Sequence, residues 1–288
     1  MSENPHALSP EFLELPCRRF FDMAYADGSP SQKLDLWLPA EDGEKPFPLI
    51  IHIHGGAFLF GEKREKPVEP VLRCLALGYA VADVEYRRGH EARFPANVLD
   101  AKAAVRFLRA NAARYHLDPQ RFAAWGSSAG GWIVSMLGVT AGNPGFEDLT
   151  MGNPEQSAAV QAVVDWCGPC GNFLLMAQDG AIPEFPDDPI PEGVFLGAEL
   201  QTVPELCRMA APCTYASAKG APTLLIHGAD DRTVPPNQSR RFYEALLAAG
   251  VEAELHIFGG LGHHSGVWNT HEELNRVTVQ FLKRTIGG

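Results

Sequence analysis

One short stretch constrains this chain more than any other: residues 121–125 read as a buried strand that runs straight into Gly126-Ser127-Ser128-Ala129-Gly130. After it, residues 131–138 read as a buried helix. A serine hydroxyl is a weak nucleophile and has to be presented sharply to a carbonyl. A tight strand-to-helix turn does this, because glycines on either side relieve the crowding around a strained serine. The following helix also aims its N-terminal N–H groups at the same point, where negative charge would develop. Gly-x-Ser-x-Gly by itself is equally an ordinary turn. The strand before it and the helix after it give it weight, with Ser128 as candidate nucleophile and the Ala129 N–H as candidate oxyanion donor.

The rest of the chain alternates strand and helix, which predicts a mostly parallel sheet with helices on both faces, an α/β fold. Strands are expected over 20–25, 33–38, 48–54, 79–86, 121–125, 160–166, 222–227 and 253–258. Helices are expected from Asn97 to His116, over 238–249 and over about 271–284. In the first of these, Val98, Ala101, Val105, Leu108 and Ala112 recur at helical spacing. The stretch 171–212 breaks the rhythm with prolines and glycines between short apolar clusters. It reads as a cap insertion over the carboxyl ends of the strands, within a single domain spanning 1–288, where open α/β sheets hold their ligands.

Three further segments fall at strand ends. His54-Gly55-Gly56-Ala57-Phe58 follows the strand at 48–54, and a glycine-rich turn there can offer backbone N–H donors to a tetrahedral intermediate. Gly228-Ala229-Asp230-Asp231 leaves a later strand with two candidate acids. Gly262-His263-His264 leaves the last strand with two candidate histidines. Acid and then histidine after the serine is the order in which α/β-hydrolases carry a triad: the carboxylate orients the imidazole, and the imidazole takes the serine proton.

These features resemble the α/β-hydrolase esterases with a His-Gly-Gly oxyanion motif, near the hormone-sensitive-lipase and feruloyl- or acetyl-xylan-esterase-like branches. The resemblance runs from about residue 33 to 284. It is carried by His54-Gly55-Gly56, Phe94-Pro95-Ala96 with Asp100, Asp118-Pro119-x-Arg121, Gly126-x-Ser128-Ala129-Gly130-Gly131, Gly228-x-x-Asp231-x-x-Val234-Pro235 and Gly262-His263. It implies the triad Ser128, Asp231 and His263, favouring Asp231 over Asp230 and His263 over His264. It implies Gly56, Ala57 and Ala129 as oxyanion donors, with Gly55 behind them. The fourth position of the His-Gly-Gly turn, often glycine, is Ala57, which serves if its backbone is not left-handed. The implied activity is hydrolysis of small carboxylic esters (short-chain acyl, acetylated carbohydrate or hydroxycinnamoyl) through an acyl-enzyme, with no cofactor and no metal. Amide or peptide hydrolysis is the alternative on the same fold.

Composition narrows the partners. A net charge of −11 disfavours nucleic acid and anionic membranes. No apolar run is long enough for a membrane span, and the N-terminus has no signal-peptide pattern, so a cytoplasmic protein is expected. The oligomeric state stays open. Cys167-Gly168-Pro169-Cys170 reads alone as a thiol–disulfide motif, but no thioredoxin-like unit follows it. Between Gly171 and Cys207 lie Asp179, Glu184, Asp187, Asp188, Glu192, Glu199 and Glu205, with no lysine or arginine. This is a solvated acidic face or, where it borders the pocket, a screen against anionic substrates. Phe58 and Phe60 beside the oxyanion turn, with Trp132 and Trp166, are candidate pocket walls. In the insertion, Phe173, Leu174, Leu175, Met176, Phe185, Phe195 and Leu196 either line a pocket or form the cap's own core.

Overall fold

The computed structural model describes residues 6–182, 190–263 and 265–287. Its centre is an eight-stranded sheet: β1 (Cys17–Ala24), β2 (Lys33–Pro39), β3 (Phe47–Ile53), β4 (Ala80–Val84), β5 (Leu117–Ser127), β6 (Ala162–Trp166), β7 (Thr223–Gly228) and β8 (Ala253–Phe258). The spatial order is β1-β2-β4-β3-β5-β6-β7-β8. β1 pairs antiparallel with β2, and β2 antiparallel with β4; every other pair is parallel. This is the α/β-hydrolase plan.

The helices are α1 (Pro10–Leu13), α2 (Glu69–Leu72), α3 (Ala96–Ala110), α4 (Ala129–Val139), α5 (Pro191–Leu196), α6 (Pro204–Met209), α7 (Asn237–Ala248) and α8 (Glu272–Thr285). Strands buried on both sides need apolar residues on both faces, and β3 shows this. Leu49, Ile51 and Ile53 join the core beneath α3, α4 and α7, whereas Ile50 joins the core beneath α2 and α8. The expected eight strands and four long helices are all present. Two boundaries differ: the helix expected to reach His116 stops at Ala110, and β5 begins at Leu117, so Asp118-Pro119 lies inside the strand. The short turns over Lys66–Leu77, including α2, carry no sequence signal, because Pro67, Pro70 and Gly78 interrupt any periodicity.

Within the predicted insertion lie α5, α6 and 3₁₀ turns at Phe173–Leu175, Leu200–Thr202 and Pro212–Tyr215. Trp132 on α4 donates its Nε1–H to Ala210 O at 2.8 Å, tying this segment to the sheet. No helix among the described residues is long and apolar enough to cross a membrane.

The elbow depends on contacts with no room to spare. A Cβ at Gly130 would stand 2.0 Å from Ile53 O and 2.6 Å from His54 O, both backbone atoms. Gly130→Ala should therefore destabilise the fold by roughly 3 kcal/mol or more, at or beyond the top of the range for overpacked cores. Urea denaturation of the variant against the wild type measures this; an unchanged midpoint would contradict it.

Candidate active site

Ser128 sits at the end of β5 as the N-cap of α4 with φ 55° and ψ −123°. A non-glycine residue adopts these angles only when its surroundings force them. Here Ser128 N–H donates to Trp166 O on the neighbouring strand at 2.8 Å, and Gly126 and Gly130 are too close for any side chain. Ser128 Oγ lies 2.9 Å from His263 Nε2. His263 Nδ1 lies 2.6 Å from Asp231 Oδ2. With Nδ1–H donated to the carboxylate, Nε2 faces the serine hydroxyl as the acceptor for its proton.

Asp231 is 3% exposed. Its Oδ1 accepts from Thr233 N–H at 3.0 Å and Val234 N–H at 2.8 Å. Its Oδ2 is also 3.3 Å from His227 Nε2. Burial alone would raise its pKa, but the hydrogen bonds from His227 and His263 hold it well below the carboxylate range, so it stays ionised. Asp230, by contrast, is exposed. His264 lies outside the described residues. The sequence reading missed His227, whose only signal was its place at a strand end four residues before Asp231. His227 Nδ1 meets Ser239 Oγ at 2.7 Å and its Nε2 meets Val234 O at 2.8 Å, which fixes the acid's loop.

The His-Gly-Gly turn faces the serine. Leu59 N–H and Phe60 N–H both donate to Gly56 O, at 2.9 and 2.8 Å. So tight a turn drives Gly56, Ala57 and Phe58 to φ 114°, 51° and 65°. Ala57 is therefore left-handed, contrary to the condition set above, at a strain of about 1–2 kcal/mol. Its N–H is nonetheless uncommitted. Among the described residues, the N–H groups of Gly55, Gly56 and Ala57 make no hydrogen bond within the chain. The Ala129 N–H, first in α4, is free of any intrahelical partner.

His54 holds the start of this turn. Its Nδ1–H donates to Gly55 O at 2.7 Å and its Nε2–H to Glu85 at 3.2 Å, and its ring stacks on Tyr86. Both partners only accept, so both ring nitrogens carry protons. Burial opposes that charge, but Glu85 outweighs it and raises the His54 pKa. Burial would likewise raise Glu85, yet His54 and Arg88 bring it down to about 2. The sign of the linkage follows. Glu85 contributes stability above its ordinary pKa, and that contribution is lost as pH falls from about 4.5 toward about 2. His54 contributes below about 6.5 and loses its share as pH rises through its raised value. In Tm measurements, Glu85→Gln should be less stable than wild type by on the order of 2–3 kcal/mol at pH 6. The gap should close toward pH 2; a constant gap would refute the linkage.

Around Ser128 opens a cavity of about 570 Å³, lined by the His54–Phe58 turn, Phe60, Trp125, Trp166, Cys167, Phe173, Leu174, Met176, Ile190, Glu192, His263 and Trp268 among others. Of the proposed walls, Trp166 lines it and Phe60 is 58% exposed beside it. Phe58 touches it but mostly stacks on Phe195 at 4.3 Å. Trp132 does not line it. It lies fully buried on α4 between Phe58 and Phe195, on the side where its indole N–H finds Ala210. The insertion's apolar residues divide: Phe173, Leu174 and Met176 border the cavity, whereas Phe195 and Leu196 are core. Phe185 lies outside the described residues. Trp268, another wall that the sequence did not mark, donates Nε1–H to Gly262 O at 2.9 Å and so braces the histidine loop.

The acids of the insertion have different fates. Asp179 pairs with Arg241, and Glu205 with Arg208. Glu199 is exposed. Glu184, Asp187 and Asp188 lie outside the described residues. Glu192 is buried against the cavity.

Cys167 and Cys170 are buried and unbonded. Burial pushes both thiols well above their usual pKa, with nearby carboxylates adding to it, so neither is a ready thiolate. Cys167, Asp231 and His263 do offer metal-type atoms within 4.8 Å of one another. The last two are joined by a 2.6 Å hydrogen bond, shorter than the roughly 3.4 Å that separates tetrahedral zinc ligands held at ~2.0–2.2 Å.

The sequence profile of the BD-FAE family matches residues 34–246. Esterase LipC of Mycobacterium tuberculosis (strain ATCC 25618 / H37Rv) is 31% identical over 247 residues, covering 83% of this chain and 58% of its own length. Isoprenylcysteine alpha-carbonyl methylesterase ICME of Arabidopsis thaliana is 27% identical over 270 residues, 89% of this chain and 60% of its own. The chain thus spans little more than half the length of these curated relatives. Among solved structures, a truncated carbohydrate esterase from gut microbiota superposes with a TM-score of 0.82 at 27% identity, covering 99% of both chains. An acetyl ester-xyloside bifunctional hydrolase from Caldicellulosiruptor lactoaceticus gives 0.71 at 26% identity, covering 88% of each.

Proposed function

This chain belongs to the BD-FAE family of α/β-hydrolases, and from that premise we propose that it is a serine carboxylic ester hydrolase acting on small neutral esters. The observation that carries the proposal is the hydrogen-bonded line from Ser128 Oγ through His263 to Asp231, at 2.9 and 2.6 Å. Ser128 Oγ attacks the ester carbonyl carbon while His263 Nε2 takes its proton. The carbonyl oxygen becomes an oxyanion facing the N–H groups of Gly56, Ala57 and Ala129, with Gly55 adjacent. Collapse breaks the bond to the alcohol oxygen, which leaves with the proton from Nε2. Water then repeats the sequence on the acyl-enzyme and releases the acid. The negative Asp231 stabilises the imidazolium formed in each half.

Neutral substrates fit a cavity that no lysine or arginine lines among the described residues, and whose cationic His54 is already paired with Glu85; an anionic ester would find little counter-charge there. A carbohydrate or other small alcohol portion accords with the names of the structural neighbours. A cytoplasmic setting accords with six unpaired cysteines. Treatment with a fluorophosphonate should add one label, on the peptide bearing Ser128, and abolish p-nitrophenyl acetate hydrolysis. Label on another residue, or activity surviving full labelling, would refute the reading.

A further inference from the structure

A carboxylate buried in apolar surroundings is unfavourable unless donors reach it. Glu192, in the first turn of α5, is 9% exposed and lines the cavity that holds Ser128 and His263. Its neighbours in that wall include Ile190, Pro191 and Leu200. Among the described residues no other residue donates a hydrogen bond to its side chain, and its own backbone N–H is near enough to favour the charged form. A carboxylate offers about four lone-pair sites, so most of its accepting capacity is uncommitted. No lysine or arginine among the described residues lines the cavity to neutralise it. The His263 charge is near enough to act on it, although burial dominates and raises its pKa.

Its position decides which part of a substrate it meets. His263 Nε2 returns a proton to the departing alcohol, so the alcohol portion lies on the histidine's side of the serine. Among the donors an ester's alcohol part can carry, an ammonium and a hydroxyl are the contrasting cases for Glu192. An ammonium beside His263 would oppose the imidazolium that each half-reaction must form. A hydroxyl donates without charge. We propose that Glu192 is a specificity-determining residue that accepts hydrogen bonds from free hydroxyls on the alcohol part of the substrate, selecting esters of polyols or sugars over esters of plain alcohols. This rests on the esterase reading above.

The test uses esters with one acyl group and one ring size. Methyl mono-O-acetyl-β-xyloside carries free hydroxyls, cyclohexyl acetate carries none, and acetylcholine is the cationic probe. Wild type, Glu192→Gln and Glu192→Ala are compared by kcat/KM in a pH-stat. Wild type should favour the xyloside over cyclohexyl acetate by tenfold or more. That ratio should fall on the order of tenfold or more in Glu192→Ala, and recover in part in Glu192→Gln, whose amide oxygen still accepts. A ratio equal in all three enzymes overturns the proposal. So does a uniform loss on every ester, which would mark a structural role, or a wild-type preference for acetylcholine that the variants lose. If wild type cleaves none of the three while Ser128 takes up fluorophosphonate, the esterase reading itself fails.

Discussion

Ser128→Ala should lower kcat/KM for p-nitrophenyl acetate by on the order of 10⁴–10⁶, leaving only what the oxyanion N–H groups and substrate binding supply. The reason is that, among the described residues, no other nucleophile has the same setting. Ser128 Oγ alone combines a hydrogen bond to His263 Nε2 at 2.9 Å with a place opposite three uncommitted backbone donors. Ser127, its neighbour, lines the cavity but ends β5 rather than standing at the strained elbow. Cys167 is close, but burial and the neighbouring Asp231 keep its thiol protonated. The variant should fold normally, since alanine removes one hydroxyl and leaves the backbone hydrogen bond to Trp166 intact. Unchanged melting with near-complete loss of turnover is the expected pair of results. Retained turnover would remove Ser128 from the mechanism.

Asp231→Asn should cost about 10⁴ in kcat, at nearly unchanged geometry. Two backbone donors, Thr233 N–H and Val234 N–H, both point at Oδ1. An asparagine must keep its carbonyl oxygen there to accept them, which turns its NH₂ toward His263 Nδ1. That nitrogen would then have to accept, placing the ring proton on Nε2. In that tautomer His263 can no longer take the proton from Ser128. The same NH₂ would also face the His227 nitrogen that now sits 3.3 Å from Oδ2. Steady-state kinetics with p-nitrophenyl acetate, alongside fluorophosphonate labelling, measure the effect. Labelling of Ser128 should slow in parallel, because it requires the same base. A loss below tenfold would show that the carboxylate does not set the tautomer.

The legible part of this protein lay in backbone signals. Alternating strands and helices foretold the eight-stranded sheet, since periodicity reports which face of an element is apolar. Glycine spacing around Ser128 marked the elbow because steric exclusion by neighbouring backbone acts within a few residues. The turn at His54-Gly55-Gly56 was visible for the same reason, although the left-handed angle of Ala57 was not. That angle comes from two N–H groups closing on one carbonyl.

What stayed hidden depends on which side chains meet across the fold. Lys102 and Arg106 fall on α3 where periodicity would grant them solvent, yet both are fully buried. Lys102 donates to Thr140 O and Glu147, and Arg106 to Glu147, Asp148 O and Gly152 O, on a loop that folds over the helix. Trp132 and Trp166 looked alike as candidate walls. The indole of one was claimed by Ala210 and that of the other was left beside the cavity. His227, Trp268 and Glu192 carried no motif at all. The sequence by itself determined the layered sheet, the serine's turn and the order of acid and histidine, because those follow from local sterics and apolar period. Tertiary structure supplied the contact that the Gly228-x-x-Asp231 motif had favoured only by resemblance, Asp231 rather than Asp230 on His263, and it alone placed Glu192, among the described acids of the insertion, at the site. Such choices are made by burial and by hydrogen-bond partners contributed from distant strands, which no local spacing encodes.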